Sequence, residues 1–417
     1  MTTPFRAPVA QALDDIFYHM REGRGQEGLR LLEEAAAGGD ADAMCILARC
    51  LNGSSYVWEG HRFPEDEARA TKLMRQAAEQ GSALAVLLCL RSGELTPSLK
   101  KNMPFANLRE AFDRVLAMAE SGEPFCQYTV GNVYFWWDFQ KIDGKRPSDF
   151  PNREAYRDYL RENASQAEGW FWKALRGGVF FAANNLNKLY SDGDEDLIPP
   201  RPERCAEVWK AGAEAGLPPC QMQYAWLLRE GGDPAGAVRW FREAAEGGDV
   251  RGWHSLGTAY YFGQGVEKNV AESAACYERG AAHGNLYSKM MLGQQLYQGL
   301  GVEQDYGRAF QLFSEACAGG IDMSAWTWVF EYMGDCLFRG LGAQQNYALA
   351  RQYLEQARKP SAQTYYELGC IYGQGLGVEA DIPRAVALLE AAGNYRPAQE
   401  ERLRYKKTLF GKWKRRS

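Results

Sequence analysis

The segment WHSLGTAYYFGQGVEKNVAESAACYERGAAHG, residues 253–284, decides the fold. Its apolar residues recur at helical spacing as far as Tyr261, the GQGV turn interrupts them, and a second helical pattern starts after Asn269. Asn269 followed three residues later by Glu272 is typical of a helix N-cap, and Gly284 is typical of a helix C-terminus. The segment therefore predicts two antiparallel helices joined by a glycine turn.

This helical pair recurs along the chain. The turn glycine Gly265 has counterparts 36 residues later at Gly301, a further 41 residues later at Gly342 and a further 35 residues later at Gly377. The five extra residues of the longer interval lie near IDMSAWTWVFEYMG, residues 321–334. A fixed period of this length indicates stacked repeats, in which each unit buries its apolar face only against its neighbours.

The repeating pattern LG-x2-Y-x4-G-V-x-x-[DN]-x3-A-x2-[WYF]…A-A-x-x-G resembles the Sel1-like repeat, a relative of the tetratricopeptide repeat. The resemblance is strong over residues 220–393 and partial over 28–216, where looser copies of the second-helix ending bring the total to about ten hairpins. It implies an all-α fold, a right-handed solenoid of stacked antiparallel helix hairpins with a concave surface that holds other proteins. Members of the family act as scaffolds and adaptors in signalling, in protein quality control, and in interactions of bacteria with hosts or with other bacteria.

The regularity of the repeats predicts three regions. Residues 1–216 form divergent hairpins with insertions, 217–393 form regular repeats, and 394–417 form a C-terminal capping helix and a basic tail. The insertions are rich in Pro, Gly and Asp, which predicts loops at residues 51–66, 135–166 and 191–204.

Composition and charge exclude several classes of protein. Of the 417 residues, 46% are hydrophobic and 24% are charged, which is typical of a folded globular chain. A net charge of −5 argues against a surface built to bind nucleic acid. The first residues lack the features of a secretory signal, and no apolar run reaches the roughly 18 to 20 residues that a membrane span needs. We expect a soluble cytoplasmic protein without a nucleic-acid partner.

No pattern of catalytic or metal-ligating residues emerges. The ten cysteines are scattered without a CxxC pair, which favours buried thiols in a reducing compartment over disulfides. HExxH and GxSxG are absent, and the four histidines fall in unrelated phases of the repeats. The glycines of GQGV lack the strand before and the Gly-Lys-Ser ending of a phosphate loop, so we interpret them as helix-connecting turns. We therefore expect no enzymatic activity, no cofactor and no metal.

Aromatic residues are the best candidates for partner contacts, because Tyr and Trp are enriched in binding hot spots. Those at the repeat phase, such as Phe313, are predicted to fill the core. Other aromatic residues lie in the insertions, outside the repeat phase. A further group recurs on the first helices, which generally line the concave side of such a solenoid, and charged residues such as Arg339 and Glu367 would lie beside them. The competing interpretation is that these rings pack back on their own solenoid. The predicted partner-binding residues are Trp136, Trp137, Tyr261, Tyr297, Trp326, Trp328, Tyr332 and Phe338.

The C-terminal stretch RLRYKKTLFGKWKRRS, residues 402–417, holds eight basic residues and no acidic one. It is interpreted as a solvated tail after the last helix, with contact to an anionic membrane surface or an acidic partner as the alternatives.

These observations predict a non-enzymatic protein-binding scaffold with a protein partner. The specific hypothesis is a bacterial cytoplasmic adaptor or an immunity-type protein that binds and occludes a secreted toxic effector. The alternatives are a small-molecule-binding receptor or an enzyme with a site between repeats, and a membrane-surface adaptor that acts through the basic tail.

Overall fold

A computed structural model of the chain describes residues 4–18, 20, 23–53, 56–193, 197–408 and 411–416. Within these ranges the structure contains 23 α-helices, most of them in ten successive antiparallel hairpins. The predicted all-α architecture of stacked hairpins is confirmed. The chain divides into two compact units, residues 1–252 and residues 253–417.

Unit 1 contains six hairpins around a continuous core that includes the buried rings of Phe112, Phe125 and Phe171. Its helices are α1 (Ala7–Leu13), α2 (Arg24–Ala37), α3 (Ala41–Leu51), α4 (Glu67–Glu79), α5 (Ala83–Ser92), α6 (Pro97–Asn102), α7 (Leu108–Glu120), α8 (Pro124–Phe135), α9 (Asp138–Asp143), α10 (Arg153–Arg176), α11 (Phe180–Asp192), α12 (Cys205–Glu214), α13 (Pro218–Glu230) and α14 (Pro234–Glu246). Short π or 3₁₀ turns occur at Asp14–Tyr18, Glu59–His61, Pro147–Asp149 and Pro202–Arg204.

The loop predicted over residues 135–166 is largely wrong. That stretch contains α9 and the first half of α10, a helix of 24 residues. The Asn152 side chain accepts a hydrogen bond from the Ala155 amide at 2.8 Å and so caps the start of α10. The residues Gly144, Pro147, Asp149 and Pro151, which suggested a loop, lie between the two helices. Within α10, Leu160 and Ala164 are buried.

Unit 2 contains four hairpins and a C-terminal cap. Its helices are α15 (Val250–Phe262), which begins just before the boundary, α16 (Val270–Ala282), α17 (Leu286–Gln298), α18 (Tyr306–Ala318), α19 (Trp328–Arg339), α20 (Tyr347–Leu354), α21 (Ala362–Gln374), α22 (Ile382–Ala391) and α23 (Arg396–Arg402), with a 3₁₀ turn at Met323–Ala325. In each hairpin an odd-numbered first helix packs antiparallel to an even-numbered second helix. Two short strands, β1 (Tyr405–Lys407) and β2 (Trp413–Arg415), follow α23.

The predicted helix caps are confirmed. The Asn269 side chain accepts hydrogen bonds from the amides of Ala271 and Glu272 at the start of α16, each at 3.1 Å. Asp305 and Asp381 make the equivalent contact at the starts of α18 and α22, at 2.9 and 3.0 Å. These bonds satisfy amides that have no partner within the helix and fix where each second helix begins.

The glycine turn between the two helices of a hairpin also packs against the preceding repeat. Gly340 ends α19 with a φ of 70°, and Gly342 follows with a φ of 67°. A Cβ atom on Gly342 would lie 2.2 Å from the Gly307 backbone nitrogen, at the start of α18. Gly301 approaches Val270 at the start of α16 in the same way, with 2.4 Å between a Cβ and the carbonyl oxygen. The second turn glycine therefore lets each first helix end directly on the preceding second helix.

The long interval in the repeats is accommodated between α18 and α19. Three residues, 283–285, separate α16 from α17, whereas nine residues, 319–327, separate α18 from α19. This inserted segment contains the 3₁₀ turn and delivers Trp326, whose ring centroid lies 5.5 Å from that of Tyr287 on α17.

The basic C-terminal segment folds back as an antiparallel β-hairpin, which differs from the expected solvated tail. Tyr405 pairs with Arg415, and its side chain is buried beside Leu389 and Ala398. The hairpin thus covers the apolar end of the last repeat, a capping role that stacked repeats require. Leu409 and Phe410, which interrupt the basic residues, lie outside the described residues.

Two further expectations can be compared with the structure. All ten cysteines are free thiols in the structure, and eight of them are buried. Among the described helices, none combines the length and the apolar character needed to cross a bilayer.

Candidate functional site

Three of the predicted partner-binding residues line one groove in unit 2. Tyr297 near the end of α17 and Trp328 and Tyr332 on α19 form one wall of a cavity of about 380 Å³. The remaining lining residues come from α19, from α21 and from the residue before α21: Glu331, Asp335, Ser361, Gln363, Thr364 and Glu367. We call this set of nine residues the α19 groove, because α19 contributes four of them.

The aromatic wall, Tyr297, Trp328 and Tyr332, is held in place by contacts with neighbouring side chains. The Tyr332 ring stacks on the buried ring of Phe313 with 5.8 Å between centroids, and Trp328 meets the same ring edge-on at 6.2 Å. Tyr297 lies 4.5 Å from Tyr332, again between ring centroids. The side-chain Nε2 of Gln298 donates a hydrogen bond to the Tyr332 hydroxyl at 2.6 Å. Each of the three rings is half-buried, so one part of the ring packs on the core and the other part faces the groove.

The other side of the groove is acidic. Glu331 Oε2 accepts hydrogen bonds from the Ser361 amide at 3.0 Å and from the Thr364 hydroxyl at 2.6 Å, which ties α19 to the start of α21. Asp335 and Glu367 are almost fully buried, with exposed fractions of 3% and 2%. Three carboxyl groups therefore lie around one small cavity.

Asp335 is surrounded by donors. Its oxygens accept a hydrogen bond from the Tyr297 hydroxyl and one from Gln363 Nε2 at 2.5 Å, and Arg339 Nη1 lies 3.5 Å from Oδ2. Gln363 Nε2 also donates to Glu367 Oε1 at 2.8 Å and so bridges the two carboxyl groups. This network connects α17, α19 and α21 through polar side chains.

Glu367 has fewer donors than Asp335. Among the described residues no N–H or O–H group of another side chain donates to its Oε2 atom. Burial, a hydrogen bond to the Asp335 carboxyl group and the charge of that group raise the pKa of Glu367 well above its ordinary value, so Glu367 carries a proton at neutral pH. Burial, together with the hydrogen bond to Asp335, likewise raises the pKa of the Tyr297 hydroxyl.

The other predicted residues of unit 2 lie outside the groove lining. Trp326 packs beside the groove, with its ring centroid 6.4 Å from that of Trp328. Phe338 meets Tyr347 edge-on at 5.6 Å within the core of its repeat, and Tyr261 is half-buried at the end of α15.

Two predicted residues belong to unit 1. Trp136 ends α8 and is 51% exposed, with its ring against Phe135. Trp137 adopts a left-handed backbone conformation with a φ of 62° and is partly buried against the core. Trp136 therefore remains a second exposed candidate for a partner contact.

The sequence analysis missed most of the polar residues of the groove. Glu367 was placed beside the aromatic residues, but Glu331, Asp335 and Gln363 were not identified. The position of a carboxyl group within the repeat could have identified two of them. Asp335 directly follows Gly334 and Glu367 directly precedes Leu368, so both adjoin the buried apolar-Gly pair of their repeat. A carboxylate next to that position is unusual, because its neighbours are buried.

The described residues contain no group of three or more His, Cys, Asp or Glu side chains placed to hold a metal ion. The carboxyl groups of the α19 groove are instead engaged with hydroxyl, amide and guanidinium donors.

Comparison with known proteins places these repeats in a family. The sequence profile of the Sel1 repeat matches residues 41–82, 218–249, 254–285, 287–321, 331–359 and 362–394. Over 88 residues the chain is 34% identical to rat (Rattus norvegicus) DAP3-binding cell death enhancer 1. The matched segment covers 21% of this chain and 17% of that protein. The mouse (Mus musculus) counterpart is 33% identical over 91 residues, which covers 21% of this chain and 18% of that protein. The chain thus spans less than a fifth of the length of these curated relatives.

Solved structures include similar proteins from bacteria. A protective antigen of uropathogenic Escherichia coli with an SLR fold is 22% identical, covering 91% of this chain and 75% of that chain with a TM-score of 0.47. A Sel1 repeat protein from Oxalobacter formigenes is 25% identical, covering 58% of this chain and 94% of that chain with a TM-score of 0.40.

Proposed function

Because this chain belongs to the Sel1-repeat family, we propose that it is a non-catalytic scaffold that binds a partner protein through the α19 groove. The observation that carries the proposal is the convergence of Tyr297, Trp328 and Tyr332 on one cavity built from the first helices of three successive repeats. Stacked helical repeats are suited to protein binding, because they hold side chains of distant segments in a fixed surface.

The groove has the composition of a binding hot spot. Trp328 and Tyr332 pack on Phe313, and Tyr297 packs on Tyr332, so little conformational entropy is lost when a partner covers these rings. Polar side chains that can accept or donate hydrogen bonds, such as Glu331 and Gln363, line the cavity beside the apolar wall. The name of the curated relatives states binding to another protein, DAP3, and this supports protein binding as the use of the matched repeats.

The more specific form of the proposal is an immunity-type or adaptor protein in the bacterial cytoplasm, with a secreted toxic effector as the partner in the immunity case. An immunity protein binds one partner and dissociates very slowly, whereas an adaptor binds more than one partner with faster dissociation. Measured dissociation rates of the purified complexes separate the two forms.

The test compares matched tryptophan variants of the full chain. The purified protein captures its partner from the native organism, and the complex is then reconstituted from pure components for measurement of Kd. Trp328→Ala is expected to raise Kd at least tenfold. The control is Trp240→Ala, which removes a half-buried tryptophan that packs on Tyr224 in unit 1 and is expected to leave Kd unchanged.

Three outcomes contradict the proposal. Equal effects of Trp328→Ala and Trp240→Ala would remove the groove from the binding site. A loss confined to Trp136→Ala would place the contact on unit 1. Retention of a small molecule without any protein partner would favour a ligand-binding receptor instead. Thermal unfolding of each variant establishes that the lost binding does not come from an unfolded protein.

A further inference from the structure

We propose that the α19 groove binds a basic side chain, lysine or arginine, that the partner protein presents. The cationic group lies among Glu331, Asp335 and Glu367, and the aliphatic stem packs against Tyr297, Trp328 and Tyr332. The inference rests on the proposed function, because it specifies the chemistry of the partner at the same groove.

The first argument is the charge of the lining. Three of the nine lining residues carry carboxyl groups, and none is Lys, Arg or His. From the rim, Arg339 forms an ion pair with Asp335 at 3.5 Å, with its side chain half exposed, and Glu367 is protonated. Glu331 and Asp335 supply the negative charge of the lining and Arg339 offsets only one of them, so the cavity attracts a cation and repels an acidic segment.

The second argument is the buried carboxyl pair of Glu367 and Asp335. Glu367 is 98% buried and lines the cavity, and among the described residues no N–H or O–H group of another side chain donates to its Oε2. Burial and the adjacent Asp335 carboxyl raise the pKa of Glu367, so it holds a proton that removes the repulsion between the two carboxylates. A guanidinium or ammonium group in the groove offsets that repulsion instead, so Glu367 releases its proton to solvent and pairs with the cation.

The third argument comes independently from the aromatic wall. A cation is attracted to the face of a Trp or Tyr ring within about 6 Å of its centroid, and Trp is the strongest such partner. Trp328 and Tyr332 lie 5.7 Å apart between centroids, with Tyr297 beside them. The methylene stem of lysine or arginine also packs well on such rings. The wall and the carboxyl groups thus favour the same ligand.

Size and geometry favour a single long side chain over a metal ion. A cavity of about 380 Å³ is near the lower end of the range for organic ligands and accommodates one extended side chain. The carboxyl groups accept hydrogen bonds from hydroxyl and amide donors, and the described residues contain no group of three or more ligating side chains placed to hold a metal ion.

The test uses a pair of probes that differ only in charge. N-acetyl-arginine N-methylamide and its citrulline counterpart have the same shape, but citrulline is neutral. Each is titrated into the full chain labelled with 5-fluorotryptophan, and binding is followed by the ¹⁹F signal of Trp328, assigned with Trp328→Phe. The arginine probe is expected to bind at least tenfold more tightly than the citrulline probe.

Two glutamate variants locate the binding. Glu367→Gln keeps the shape of the protonated side chain and removes its capacity for negative charge, and it is expected to weaken the arginine probe at least fivefold. Glu379→Gln makes the same chemical change at an exposed position in the turn after α21 and is expected to have no effect. Equal binding of the two probes, or equal behaviour of the two variants, overturns the inference.

Further outcomes separate this inference from the proposed function. If the partner protein binds, is lost with Trp328→Ala and is unaffected by Glu367→Gln, the scaffold function stands and the cationic contact is wrong. If free arginine binds more tightly than an arginine-containing heptapeptide, the source is a small amine, and both the partner side chain and the scaffold function are contradicted.

Discussion

Two glycines of one turn allow the stacking of repeats to be measured. Gly340 and Gly342 have nearly equal φ angles of 70° and 67°, so alanine meets the same backbone strain at each. Their surroundings differ: a Cβ on Gly340 would contact the Gln345 side chain at 3.4 Å, an ordinary distance, whereas on Gly342 it would lie 2.2 Å from the Gly307 backbone nitrogen. The pair therefore separates local strain from close approach between repeats.

The magnitudes follow from these distances. A left-handed alanine costs about 1–2 kcal/mol, partly offset by about 0.4–1 kcal/mol through the unfolded chain, so Gly340→Ala is expected to destabilise by about 1 kcal/mol. Gly342→Ala adds overpacking against backbone atoms that cannot rotate away, about 1–3 kcal/mol. Its total destabilisation is about 2–4 kcal/mol, concentrated where α19 meets the start of α18.

Hydrogen exchange followed by mass spectrometry is the suitable assay, because stacked repeats open locally. At low urea, amides of α18 and α19 are expected to exchange at least tenfold faster in Gly342→Ala than in Gly340→Ala, which corresponds to about 1.4 kcal/mol or more. Equal exchange in the two variants would refute the conclusion that the second turn glycine seats one repeat on the next.

Three more predictions follow from buried side chains. Tyr405→Ala is expected to destabilise the last repeat by about 3–5 kcal/mol in urea unfolding, because the ring is fully buried, whereas exposed Lys406→Ala has no effect. The pKa of Glu367 is raised in the folded protein, so unfolding releases its proton, and its contribution to stability falls as the pH rises above about 4.5. Glu367→Gln is therefore expected to stabilise the protein in thermal unfolding by an amount that grows from pH 5 to pH 8. A stability difference that stays constant over this range would contradict the prediction. Native protein is expected to react with a thiol reagent first at Cys205 and Cys317, the two cysteines that are not fully buried, and prior labelling of any other cysteine would contradict the burial.

The fold was predictable because its signals are local and repeated. The N-cap at Asn269 and the turn glycine at Gly301 each act within a few residues, and each recurs at the repeat interval. Long α10 was not predicted, because it lies outside that interval and directly follows a segment rich in Pro, Gly and Asp. The C-terminal β-hairpin was not predicted, because its formation depends on the packing of Tyr405 against the apolar end of the last repeat.

The site was only partly predictable, because it is assembled from three repeats. Trp328 and Tyr332 stood out as aromatic residues around an irregular interval, and the structure brings both to the groove with Tyr297. Asp335 and Glu367 lie on different helices 32 positions apart in the chain, and the bridge between them through Gln363 depends on how α19 and α21 stack. One sequence carries no signal for such a contact.

The repeat also explains how a binding groove can arise without loss of stacking. Tyr332 and Glu367 occupy equivalent positions, since each directly precedes the apolar-Gly pair of its first helix, Met333-Gly334 and Leu368-Gly369. Gly334 and Gly369 are the residues that pack: a Cβ there would lie 2.4 and 2.7 Å from a leucine of the second helix. The apolar-Gly pair therefore holds the hairpin together, while the position before it is free to carry a ring in one repeat and a carboxyl group in the next. Because the apolar-Gly pair seats the two helices of each hairpin, a substitution at the position before it changes the groove lining and the packing of one side chain while the stack of helices is retained.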